Sequence, residues 1–156
     1  MFSFFKRRLW IPLLTLLRQG VTPEKLALSV ALGCVLGLFP MLGTTTTLCA
    51  LAAVLLRLNL PAIQLVNFFV YPLQLTLFIP FLKAGSWLIG GPPVSADITQ
   101  VYALLSRDFW GTIATYWWAN VGAVGLWAMA ATPLAATLYH LLVRVFRRFA
   151  PQRAAA

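Results

Sequence analysis

Residues able to do acid–base, nucleophilic or metal chemistry are few in this chain and far apart. Its acids are Glu24, Asp97 and Asp108, its one histidine is His140, and its thiols are Cys34 and Cys49. General acid–base catalysis needs groups placed within hydrogen-bond reach of the reacting atoms. Nucleophilic catalysis needs a base beside the nucleophile, and zinc needs three or four nitrogen, sulfur or carboxylate ligands. No spacing here supplies either set, and there is no phosphate loop, no CxxC pair and no serine–histidine–acid arrangement. The inventory predicts a protein that is no enzyme and holds no metal or cofactor. Cys34 and Cys49 read as apolar packing residues, and His140 as an interfacial or helix-contact residue.

A second group of polar residues points elsewhere. At 100° per residue, Arg57, Gln64, Asn67, Tyr71 and Gln74 fall within roughly 100° of one another on a helix. The last four stand in a segment, Leu58 to Leu82, that carries no charge, and Arg57 directly precedes it. A polar stripe facing lipid is costly, so it should face protein or water. Pro61, Pro72 and Pro80 punctuate the same segment, and Pro72 leaves the carbonyl of Phe68 without its helical donor. Two roles are open to the stripe. It either bonds neighbouring helices and freed backbone groups, or it lines a binding site or solute path. Asn67 and Gln74 are expected to reach Thr44 to Thr47 or carbonyls freed by prolines.

The elements that must position such a stripe are membrane elements. Hydrophobic residues make up 61% of the chain and charged residues 10%, against roughly 25% charged in an ordinary soluble domain. The longest unusual feature is a charge-free run from Leu26 to Leu56, interrupted by Phe39-Pro40-Met41-Leu42-Gly43. A spanning helix needs about 20 apolar residues. The whole run is too long for one straight helix with Pro40 and Gly43 at its centre. Each half, at 1.5 Å per residue, covers only roughly 20 Å. The run therefore predicts two short helices meeting at a threonine-rich turn. Ser29, Gly33 and Gly37 repeat every four residues on the first of them, a face that permits close helix packing. Thr22 reads as its N-cap, with Pro23 at the first helical position and Glu24 near the positive end of the dipole.

The net charge of +9 is placed for a membrane and not for a nucleic acid. Lys6, Arg7, Arg8, Arg18 and Lys25 precede the first apolar run, and Arg144, Arg147, Arg148 and Arg153 follow the last. Positive residues gather on the cytoplasmic side of spans and attract anionic lipid headgroups; no base-reading pattern accompanies them. If Leu26 to Leu56 crossed once, the C-terminal arginines would lie outside, against that bias. If the run is a hairpin, both basic ends lie inside, and the outer loop's Lys83, Arg107, Asp97 and Asp108 balance. The hairpin is favoured. Trp87, Trp110, Trp117 and Trp118 then sit near the outer interface.

The expected organisation is an all-α integral membrane bundle. Residues 1–20 form an uncleaved, basic, amphipathic helix at the interface, and residues 21–156 the membrane domain. Within it lie the broken hairpin (26–56), a span (58–82), an outer loop (83–116), a second span (117–143) and a basic tail (144–156). Gly90-Gly91-Pro92-Pro93 breaks the outer loop, and a short helix is expected from Ala96 to Ser106.

These residues resemble a known family. Thr22-Pro23, Gly33 and Gly37, Pro40 with Gly43, Leu56-Arg57-Leu58-Asn59-Leu60-Pro61, and Pro72 followed by Lys83-Ala84-Gly85 are similar to the DUF2062 family of small bacterial membrane proteins. The resemblance covers about residues 20 to 90 and continues more loosely beyond. Tyr71 stands where the family commonly has Asn, and Thr44 to Thr47 where a Gln is frequent, so a polar site here would have altered chemistry. The resemblance implies a multi-pass protein of the bacterial inner membrane and fixes no activity. Some relatives are joined to or encoded with envelope glycosyltransferases, which implies a cell-envelope role by analogy. Three functions stay open. The chain is a structural or partner protein for envelope or lipid-linked enzymes, with an envelope-biosynthesis protein or its own copies as partner. Alternatively it is an oligomeric small-solute transporter or channel built on the broken hairpin and the stripe, or a module that binds anionic lipid headgroups through Arg57 and the basic ends.

Overall fold

The computed structural model describes residues 11–12, 15, 21–91, 93–94 and 98–149. Along these residues run helices α1 (Pro23–Gly37), α2 (Thr45–Leu55), α3 (Leu60–Leu88), α4 (Ile98–Arg107) and α5 (Phe109–Phe149), and no strand occurs among them. Of the expected interfacial helix over residues 1–20 only Ile11, Pro12 and Thr15 are described. Asp97 and the tail beyond Phe149 also lie outside the described residues.

Local chemistry sets the helix ends. Thr22 is extended and its side chain accepts the amide of Lys25, with Pro23 opening α1, as its N-cap reading requires. α1 stops at Gly37, and Gly43 takes φ +84° in the turn that follows, a left-handed conformation open to glycine at little cost. α2 closes through bonds from the amide of Leu58 to the Ala53 carbonyl (2.8 Å) and from the amide of Arg57 to that of Val54 (3.3 Å). This is the Schellman closure, with Arg57 in the left-handed position that glycine usually fills (φ +51°). Asn59 then caps α3 by accepting the amide of Ala62 at 2.9 Å.

The helices pack with α1, α3 and α5 in mutual contact, α2 against α1 and α3, and α4 against α5. Their relative heights follow from named contacts. The start of α1 lies beside the end of α5 and the start of α3. Glu24 pairs with Arg147 at 2.9 Å, and the Ser29 hydroxyl accepts the amide of Asn59 at 3.1 Å. The end of α1 meets the middle of both long helices, since Trp127 Nε1 donates to the Val35 carbonyl at 3.0 Å and Gln74 Nε2 to that of Phe39 at 2.8 Å. The far end of α3 meets α5 where a Cβ on Gly85 would collide with the backbone of Ala119 and Ala123. The broken pair α1–α2 thus occupies one half of the bundle's length, and α3 and α5 continue without it.

Two clusters make the interior: Leu26, Ala27, Val30, Ala62, Val66, Val143 and Phe146 where the three main helices meet, and Cys49, Ala53 and Ile63 under α2. The outer surface is apolar as well. Val54, Leu55, Phe68, Trp87, Trp110 and Met129 are each at least 65% exposed. A water-soluble domain tolerates scattered apolar residues but not a surface made of them. α3 and the Tyr116–Phe149 part of α5 are long and apolar enough to cross a membrane by length and composition.

The long helices outrun the charge-free spans. α3 continues through Lys83 to Leu88, and α5 begins at Phe109, so much of the expected outer loop is helical. Charge counting finds the hydrocarbon-compatible part of a segment, whereas a helix ends where its caps are. Here those are Ile89 followed by Gly90 at φ +64°, and Asp108, whose carboxylate accepts the amide of Gly111 at 2.9 Å. The short helix expected from Ala96 is found as α4.

Candidate functional site

The polar cluster lies where α1 and α2 are interrupted, against the lower half of α3. Gln64 Nε2 donates to the Thr46 carbonyl at 2.9 Å. Asn67, 3% exposed, lies with Nδ2 at 3.4 Å from both Thr46 Oγ1 and Gln64 Oε1. Two turns higher, Gln74 is 2% exposed and donates to the carbonyl of Phe39. Its other amide atom, Oε1, has no hydrogen-bond partner. The turn is braced from α5 as well, because the Phe39 ring meets the Trp127 ring edge to face at a centroid distance of 4.9 Å.

Close backbone approach brings these groups together. A Cβ on Gly33 would stand 2.8 Å from the Ile63 carbonyl oxygen, and one on Gly37 would stand 3.1 Å from Asn67 Oδ1. The face of Ser29, Gly33 and Gly37 therefore lies directly on α3. Pro40 is buried at the top of the turn, and Gly43 has open space around it.

Gln64, Asn67 and Gln74 all reach the broken pair, but the other two members of the expected stripe do not join them. Arg57 is not on the helix at all; it sits in the turn before α3 and is exposed. Helical angles therefore do not apply to it. Tyr71 is 44% exposed. The proline-freed carbonyl of Phe68 receives none of these side chains; the Thr76 hydroxyl donates instead to the carbonyl of Pro72 at 3.0 Å.

Sequence reasoning missed Trp127, whose indole caps one of the last carbonyls of α1, and the crossing of Gly85 with Gly122. The small pair Gly122-Ala123 was a visible signal for the second. Nothing in the sequence marked Trp127 apart from the other tryptophans.

Chemically, the cluster offers neutral amides, hydroxyls and backbone carbonyls. It can bind and orient, but it holds no group that would exchange a proton near neutral pH. His140 is exposed on α5 and packs its ring against Tyr139. Among the described residues no group of three or more His, Cys, Asp or Glu is placed to hold a metal ion. Two apolar clefts flank the upper bundle. One, of about 190 Å³, runs between Phe78, Leu82 and Tyr116; the other, of about 130 Å³, lies between Met41 of the turn and Trp117.

The fold and this cluster define an all-helical protein with two helices suited to crossing a membrane and a broken helix pair packed against their middle. The chain belongs to the bacterial family described as an uncharacterized protein conserved in bacteria (DUF2062), whose model matches residues 6–155. No curated protein and no solved structure matches it.

Proposed function

We propose that this chain is a multi-pass protein of the bacterial cytoplasmic membrane, with both termini in the cytoplasm. In this reading α3 and α5 cross the bilayer and α1–α2 dips in from the cytoplasmic side. Its role is to hold or position envelope or lipid-linked enzymes, and it performs no reaction itself. One observation carries the reading: the turn between α1 and α2 meets α3 and α5 at mid-length, with its polar groups turned inward onto Gln64, Asn67 and Gln74. Irregular backbone at membrane depth is tolerated where protein covers it. α1 is 15 residues long, about 22 Å, which falls short of the ~30 Å hydrocarbon thickness. A dip fits this length, and a crossing does not.

The cytoplasmic end then gathers the exposed Lys25, Arg57, Arg144, Arg147 and Arg148, which suits anionic headgroups as the immediate surroundings. The competing reading, an oligomeric solute transporter or channel, draws on the same break, since interrupted helices build the sites of known carriers. Crosslinking in native membranes followed by purification separates the two. The structural reading expects one recurrent envelope enzyme or assembly protein, enriched over a control membrane protein. Solute flux in proteoliposomes of the purified chain, with no such partner, would overturn it.

A further inference from the structure

Because α1 and α2 fill only one half of the bundle's length, α3 and α5 run on together through the other half. There α5 presents Thr112, Tyr116, Asn120 and Val124, spaced four residues apart and so on one face. The apolar cleft of about 190 Å³ follows the first part of this row. Its walls are Phe78 and Leu82 of α3, Ile113, Tyr116 and Asn120 of α5, and Val94 of the connection beyond α3. The cleft of about 130 Å³ follows the second part. Asn120 lines both, and Met41 of the turn joins the second beside Val124. The two clefts thus make one groove along α5, from Thr112 down to the turn.

The lining decides what such a groove can hold. Some of its side chains carry polar groups, but the Thr112 hydroxyl donates to the Leu104 carbonyl at 3.1 Å, and Asn120 Nδ2 to that of Tyr116 at 3.3 Å. The wall left over is hydrocarbon, which water does not fill and which suits no polar solute. Length narrows the choice further. Thr112 and Val124 lie twelve residues apart, about 18 Å along a helix, against ~15 Å for half of a ~30 Å hydrocarbon layer. In the proposed placement Leu82 and Phe78 stand five and nine residues below Trp87, about 8 and 14 Å. That is the depth of acyl chains in the outer leaflet. A groove that runs for one leaflet and stops at the turn fits an acyl chain, and a long polyprenyl chain would overrun it.

Charge at the outer mouth completes the match. Lys83 follows the lining residue Leu82, and Arg107 ends α4, whose Leu104 carbonyl takes the Thr112 hydroxyl. Both are exposed, and among the described residues neither has an ion-pair partner. Long basic side chains near the end of a span carry their charge to the interface, the level of a lipid phosphate.

We propose that the groove between α3 and α5 holds one phospholipid of the outer leaflet, with an acyl chain between Thr112 and Val124 and its phosphate beside Lys83 and Arg107. The site rests on the proposed membrane placement only for the leaflet that supplies the lipid. It lies at the opposite end from the basic cluster of Arg144, Arg147 and Arg148, and needs no partner enzyme.

Native mass spectrometry tests it on the full chain, delipidated in detergent and titrated with palmitoyl-oleoyl phosphatidylglycerol. The wild type should take up one lipid that persists when detergent-bound lipid is lost. Ile113→Trp and Val121→Trp, which fill the two clefts, should each lose that lipid, while Val54→Trp on the exposed face of α2 should keep it. Lys83→Gln combined with Arg107→Gln should weaken binding several-fold, and glycerophosphoglycerol, the headgroup without its chains, should not compete. No persistent lipid in the wild type would overturn the groove, and so would a lipid that survives both tryptophan variants, because it would then sit elsewhere. Preferential retention of undecaprenyl phosphate would overturn the acyl-chain assignment, and unchanged affinity in the double Gln variant would overturn the phosphate assignment. If Ile113→Trp does not fold, Val121→Trp decides, since Val121 is 44% exposed and its side chain can grow without entering the core. A measurement in detergent is blind to sidedness, so failure of the groove and failure of the proposed topology are read separately.

Discussion

Single residues here act mainly by being small, or by turning a polar atom into the bundle. Gly33 shows the first. The Ile63 carbonyl lies 2.8 Å from where its Cβ would be, whereas a Cβ on Gly125 would meet nothing within 4 Å. Gly33→Val should therefore destabilise by about 1–3 kcal/mol, the usual cost of overpacking, and Gly125→Val should show no steric loss in the same unfolding assay. Equal effects would mean that the α1–α3 approach is not held in solution. Asn67 shows the second. Its contacts are long, and hydrogen bonds between membrane helices average only ~0.6 kcal/mol. A double-mutant cycle of Asn67→Leu with Thr46→Val should give a coupling of about that size. Glu24 differs in being at the surface. Its own backbone amide, and then Arg147, hold its carboxyl below the usual value of 4.5. A depressed carboxyl stabilises the fold above the unfolded value and loses that contribution as pH falls through the folded one. Wild type should thus lose stability below about pH 4.5 relative to Glu24→Gln, and high salt should shrink the difference because the pair is largely exposed. A parallel pH response in the two proteins would contradict the clasp. At this scale half of the site was legible: spacing gave the angles of Gln64, Asn67 and Gln74. It could not give the left-handed turn that removes Arg57 from the helix.

Among the elements, the α1–α2 break is the feature on which the rest of the packing depends, and it was also the most legible. Pro40 and Gly43 act locally, one by denying a helical hydrogen bond and the other by accepting positive φ, so no knowledge of the neighbours was needed to place the turn between Leu38 and Thr44. The ends of α3 and α5 were less legible. They are set by Gly90 and Asp108 at the surface, whereas the absence of charge marks only the apolar stretch inside each helix. The break itself can be tested as an element. Replacing Pro40 and Gly43 together with Ala should remove roughly 3 kcal/mol or more of helix-breaking cost and favour one continuous helix from α1 into α2. That helix would forfeit the bonds of Gln74 to Phe39 and of Gln64 to Thr46, so the variant should be less stable and should mix topologies. Cysteine accessibility at position 47 would report it. Wild-type accessibility and stability in the double variant would show that the turn is held by its neighbours and not by its own residues.

For the whole molecule the proposed membrane placement raises the question of how helices of such unequal length would share one bilayer. α5 has 41 residues and α3 has 29, about 61 and 43 Å, against a hydrocarbon layer of ~30 Å. In the proposed placement α5 extends well beyond the layer, and its charges say where. Arg144, Arg147 and Arg148 occupy its last turns beside Glu24 and Lys25 at the start of α1, so one end of the bundle carries the excess of positive charge. At the other end stand the exposed Trp87, Trp110, Trp117 and Trp118, residues that favour the interface. With α1 and α2 confined to the basic half, the proposed topology has two full crossings, with both ends of the described segment on the same side. Cysteines placed one at a time in an otherwise cysteine-free chain should follow this order. Positions 25, 57 and 148 should react with a membrane-impermeant maleimide only after the membrane is opened, and positions 93 and 107 should react in intact cells freed of their outer membrane. A residue near Arg148 labelled from outside would mean an odd number of crossings. α1 or α2 would then have to cross a layer that neither is long enough to cross, and the dipping pair would have to be abandoned.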